Sequence, residues 1–62
     1  MNKLTEMGTT GLIEYAAKQG STRNVALALG RCNRVLRGRG YGVRALYAFK
    51  RAVHDAHARR TQ

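Results

Sequence analysis

Proline and tryptophan are absent from this chain, and cysteine occurs once, at Cys32. Without proline, and without any serine- or glycine-rich stretch long enough to separate a pair of units, nothing marks a linker. The 62 residues are therefore expected to form one domain, 1–62. A single cysteine excludes a disulfide framework. A zinc site needs about four ligands, and Cys32 with His54 and His57 falls short, so neither a metal nor another cofactor is expected. Only three acids occur, Glu6, Glu14 and Asp55. That leaves too little carboxylate for an acid–base pair, and no base accompanies a nucleophile, so the chain is not expected to be an enzyme. No apolar run approaches the roughly 18 residues of a membrane span. The opening MNKLTEMGTTG also lacks the apolar core of a signal peptide. With its lone thiol, this points to a cytoplasmic protein, nucleoid-associated if it binds DNA.

What the chain has in excess is positive charge: 12 lysines and arginines give a net charge of +9. A surface built only for solubility mixes both signs. Here no acid lies between Tyr15 and His54. Such a balance implies a polyanionic partner, of which nucleic acid is the commonest inside a cell. A domain of about 60 residues buries only about 60% of its unfolded surface. Association, with a second copy or with a partner, is the expected extra source of stability.

Local patterns predict helices throughout. Residues 1–8 read as a loose arm. Thr9 or Thr10 offers an N-cap hydroxyl, and Leu12, Ile13, Ala16 and Ala17 follow at helical spacing, with Gly20 as the stop. Ser21 caps a second helix, Thr22 to Leu29, with Val25, Ala26 and Leu29 inward and Gly30 as a tight turn. A third short helix starts at Cys32 or Asn33 and ends near Arg37, after which Gly38, Gly40 and Gly42 break regular structure. The segment VRALYAFKRAVHDAHARR carries a stripe of Ala45, Leu46, Phe49, Ala52, Val53 and Ala56. Within it Leu46, Phe49, Val53 and Ala56 suit either the chain's own core or a dimer seam. The expected fold is all-α: a small helix-turn-helix domain of three short helices plus a longer C-terminal amphipathic helix.

Helix, glycine turn, helix is the plan of the helix-turn-helix DNA-binding unit. Ala26 lies four residues before Gly30, which lets two helices approach, and Leu36 lies six after it, which would fix the second helix to the core. The stretch EYAAKQGSTRNVALALG resembles the opening of Cro/C1-type phage repressors over residues 12–37, through Tyr15, Ala16, Gly20, Ser21, Thr22, Ala28, Leu29 and Gly30. The chain departs from that pattern at Arg31, where Val or Ile is usual, at the early stop of Gly38 and Arg39, and at Leu27, which faces outward. The resemblance implies a phage, prophage or plasmid transcriptional regulator that binds duplex DNA. It implies base reading by Asn33, Arg34 and Arg37, phosphate binding by Ser21, Thr22 and Arg23, and a phosphate track through Arg39, Tyr41 and Arg44. Arg31, beside the turn, adds to that track.

Other readings stay open beside this one. RGRGYG resembles the arginine-glycine segments that bind RNA. A basic, alanine-rich helical protein also suits an inhibitor or adaptor that docks on an acidic surface of a host protein. Three glycines without a preceding strand do not make a dinucleotide loop. The alanine-rich face of the last helix makes poor membrane anchorage. His54 and His57 suit the dipole of a helix C-terminus. Cys32, expected at an N-cap beside arginines, would have its thiol pKa lowered.

Overall fold

The computed structural model describes residues 3–60. A 3₁₀ turn at Lys3–Glu6 leads into α1 (Thr9–Ala17), α2 (Thr22–Gly38) and α3 (Val43–Arg60). All the regular structure among the described residues is helical, in agreement with the all-α expectation. α1 packs against both other helices, and the 3₁₀ turn lies on α2. The core between them is built from Leu4, Leu12, Ala16, Val25, Ala28, Leu29, Cys32, Leu36, Phe49 and Val53. Ala16, Ala17 and Ala28 are buried, whereas Ala26, expected to face inward, is exposed; Leu12, Leu36, Val25 and Val53 are the largest side chains wholly removed from water.

The main departure from expectation is at Gly30. The second and third expected helices are one helix, α2, of 17 residues, and Gly30 lies inside it. Among the described residues only Gly40 has positive φ, at 91°, so Gly30 makes no turn. The reason lies in the inward stripe Val25, Ala28, Leu29, Cys32 and Leu36, which keeps its three- and four-residue spacing across the glycine and is buried throughout. An interior glycine costs a helix roughly 1 kcal/mol. Burying one leucine returns about 1.5–3 kcal/mol, so the continuous helix wins. Cys32 is therefore an interior core residue and not an N-cap.

The ends of the helices separate good caps from apparent ones. Ser21 caps α2, its hydroxyl accepting from the Asn24 amide at 3.2 Å. Gly8, not a threonine, stands at the N-cap of α1, and no side chain caps that end. The Thr9 hydroxyl bonds the Tyr41 hydroxyl at 2.7 Å instead. Gly20 is not the C-cap of α1, since the helix closes at Ala17 with Lys18 as its cap. α2 ends in a double closure: the Gly40 amide donates to Arg37 O at 3.0 Å and the Tyr41 amide to Leu36 O at 3.1 Å. That is the Schellman arrangement, with glycine in the left-handed position and an apolar ring following it toward the core. Gly38 ends the helix, whereas Gly40 turns the chain.

Residues 3–8 of the expected loose arm are ordered, and residues 1 and 2 lie outside the described residues. Leu4 is 8% exposed and belongs to the core, and the Arg39 guanidinium ties down the backbone around it. α3 covers the expected 43–60 segment. Its Phe49 and Val53 are buried, and Leu46 packs against the same core, while Ala52 and Ala56 are half-buried. Of the two roles the spacing allows, these residues serve the chain's own core. Ala45, expected in that stripe, is exposed.

Candidate nucleic-acid interface

One side of α2 is fixed by the core, and the helical repeat of 3.6 residues then decides what faces out. Val25, Cys32 and Leu36 point inward, so Arg23, Leu27 and Arg34 fall on the opposite side. Arg31 and Gly38 flank that line on one edge, with Gly30 and Arg37 on the other. All seven residues are exposed, and Leu27 keeps 62% of its surface in contact with solvent. α2 contains no Asp or Glu. The outward face is thus a line of cations about 20 Å long, from the 1.5 Å rise per residue between positions 23 and 37, with one leucine set into it.

The expected site residues divide into several groups. Arg31, Arg34 and Arg37 share the outward half of α2 with Arg23, while Thr22 is exposed as the first residue of that helix, on the side of Val25. Ser21 stands at the N-terminus of that helix as its cap, so its hydroxyl already has the Asn24 amide. Asn33 does not join them: it is half-buried, and its Oδ1 is enclosed without a hydrogen-bond partner among the described residues. Arg44 is exposed in the first turn of α3, a different element from the line on α2.

Arg39 and Tyr41 are engaged within the fold. The Arg39 Nη2 donates to Leu4 O at 3.5 Å, to Thr5 O at 3.2 Å and to Met7 O. Nη2 carries two N–H donors, which three carbonyls at the end of a short turn share. Arg39 therefore holds the 3₁₀ turn against the C-terminal end of α2. Tyr41 is half-buried with its hydroxyl on Thr9. Neither arrangement is legible locally, because the partners lie more than 30 residues away in sequence.

Between that 3₁₀ turn and α2 runs an open groove of about 1440 Å³. Leu4, Met7, Leu27 and Val35 form its apolar lining with Tyr15, and Arg31 and Arg34 stand on its α2 side. Gly30 and Gly38 also line it, and a Cβ at either position would meet no atom within 4 Å. Sequence reasoning misses this groove, because one wall is a segment that reads as a loose arm.

The two remaining chemical candidates have structural partners. The Cys32 thiol lies 3.8 Å from Leu12 O inside the core, and burial raises its pKa from the ordinary 9.0. This overturns the expected lowering, since the thiol is not at a helix N-terminus beside exposed arginines. His57 reaches Ala17 O with Nδ1 at 2.9 Å. The carbonyl accepts, so Nδ1 carries the proton, and His57 covers the C-terminal end of α1, where a donor suits the helix dipole. His54 is exposed on α3.

No family model matches the chain, and neither does any curated protein or solved structure. No helix among the described residues is long and apolar enough to cross a membrane.

Proposed function

We propose that this chain is a small DNA-binding protein of the helix-turn-helix kind, a Cro-like transcriptional regulator that holds duplex DNA along the outward face of α2. The observation that carries this reading is the line Arg23, Leu27, Arg31, Arg34 and Arg37, exposed on one side of an uninterrupted helix that has no acid of its own.

The unit is shifted by one element from its expected position. α1, the turn Lys18–Ser21 and α2 take the roles that the sequence pattern places around Gly30. A helix-turn-helix joins its helices through a turn of three to four residues that often contains glycine, and Gly20 lies in this one. Ala16, four residues before Gly20, is fully buried and lets the helices approach, while Val25, five after it, anchors α2 in the core. In such units the N-terminal residues of the second helix meet base edges in the major groove. Here those are Thr22, Arg23 and Leu27. An arginine fork takes guanine O6 and N7 together, and an apolar side chain takes the thymine methyl. The outward Leu27 thereby gains a role that a solvated helix face does not give it. Arg31, Arg34 and Arg37 follow along the same side and supply phosphate contacts, as does Arg44 from α3.

The test is selection of binding sites from a random duplex pool at physiological salt. The reading expects an enriched duplex motif, two-fold symmetric if the protein binds as a homodimer, with half-sites about one helical turn apart. Replacing Arg23 with Ala then changes the preferred bases, and replacing Arg34 weakens every sequence alike. Enrichment of unpaired RNA in a parallel pool, or of no sequence at all, contradicts the reading.

A further inference from the structure

The groove beside α2 has more apolar surface than Leu27, the one apolar side chain that the duplex reading uses. Its lining of Leu4, Met7, Leu27 and Val35 is aliphatic, whereas a duplex offers phosphate, sugar and base edges. Unpaired bases seek aromatic platforms, and Tyr15 is the only ring lining this groove among the described residues. Arg31 and Arg34 stand along one side with no acid on the same helix to neutralise them. Gly30 and Gly38 lie eight residues apart, about 12 Å along α2, with open space where their side chains would be. Glycine at such positions lets another backbone come close.

We infer that this groove docks an acidic amphipathic helix of a partner protein, with its apolar side chains on the Leu4–Met7–Leu27–Val35 lining and its carboxylates on Arg31 and Arg34. Charge complementarity selects the partner: a second copy of this +9 chain would bring like charge to the arginines, whereas an acidic helix brings the opposite. Helix-in-groove recognition uses apolar anchors at i, i+3 or i+4 and i+7. The flexible thioether of Met7 adapts to such anchors. Planar arginine forks take carboxylates with two parallel hydrogen bonds. The 3₁₀ turn that forms the far wall is held in place by Arg39, so the groove is formed before the partner arrives. Docking does not depend on the DNA reading, although Leu27, Arg31 and Arg34 are shared. If both hold, helix and duplex exclude one another.

The test measures binding of the full chain, without DNA, to a labelled synthetic peptide of about 18 residues with leucines on one helical face and glutamates elsewhere. Three controls accompany it: a scrambled peptide of the same composition, an oligoglutamate of the same charge, and oligo-dT. The expected result is binding at physiological salt that is at least tenfold tighter for the amphipathic peptide than for any control. The variant Gly30→Leu fills the groove and improves the helix, so it stays folded by circular dichroism. It is expected to lose at least tenfold in peptide affinity, while Ala48→Leu on the exposed side of α3 loses none. Equal binding of the scrambled peptide or oligoglutamate overturns the proposal in favour of charge alone. Tightest binding of oligo-dT overturns it in favour of a nucleic-acid strand. An unaffected Gly30→Leu variant that remains folded also overturns it.

Discussion

Arg39 shows how far one side chain can depart from the role its neighbours suggest. It lies in a run of arginines, yet its guanidinium gathers carbonyls of Leu4, Thr5 and Met7. Removing it takes one partner from each of these carbonyls, Leu4 O keeping the Met7 amide, and loosens the turn that buries Leu4. Arg39→Ala is expected to lower stability by about 1–2 kcal/mol, the scale of one or two charge-assisted hydrogen bonds, measured by urea unfolding. Its duplex affinity should change less than that of Arg34→Ala, whereas an unchanged stability with a large loss of affinity would return Arg39 to the phosphate track. Cys32 makes a second residue-scale case. Its thiol is 0% exposed and its pKa is raised by burial. Below the unfolded pKa the proton is bound in both states and stability does not depend on this group. As pH rises through the unfolded value near 9, the unfolded thiol ionises while the native one keeps its proton, so stability falls. Cys32→Ala should show a weaker decline over that alkaline range. Alkylation of the wild-type thiol should follow global unfolding and be slow in the native protein.

At the scale of elements, the two glycines near the ends of the arginine-rich segment make opposite predictions. Gly30 lies in the interior of α2 with open space around it. Gly30→Ala should stabilise the protein by roughly 0.5–1 kcal/mol, because alanine loses less backbone freedom in a helix. Gly40 has φ 91°, and Gly40→Ala should cost about 1–2 kcal/mol, the penalty for an L-residue in the left-handed region. Thermal melts of both variants check this, and destabilisation by Gly30→Ala would mean that α2 bends where the local pattern predicts its end. The same pair shows what is legible in a sequence. α3 is readable because its apolar spacing is unbroken and glycines precede it, and Ser21 is readable because a hydroxyl there satisfies a free amide. Gly30 misleads because a glycine after Ala-Leu permits a left-handed stop without requiring one. The stripe from Val25 to Leu36 runs straight through it, and that continuity outweighs a single glycine. The cation line on α2 is visible as residues but not as one face, since its geometry depends on the helix being continuous. The groove is not visible, because it depends on long-range bonds from Arg39 to the N-terminal turn.

On the scale of the whole molecule, a core of mostly leucine, valine and alanine side chains with Phe49 is enclosed by three helices and one turn, and the charge is left on the outside. Exposed Val43, at 82%, and Tyr47, at 62%, show that α3 also keeps apolar surface outward. The arginines of α2 differ from the cations of α3 in sharing their helix with no acid, whereas α3 carries Asp55. Each phosphate contact they make adds about one to the slope of log affinity against log salt. The central claim, that this line and not net charge alone holds DNA, is tested most directly by salt titrations of duplex binding on two matched variants. One removes Arg34 and Arg37 as alanines, and the other removes Arg59 and Arg60 at the end of α3, so both lose the same charge. The account predicts that the first variant loses about two from the salt slope and at least tenfold in affinity, while the second stays near wild type. Equal losses in the two would contradict it and leave only the protein's overall charge.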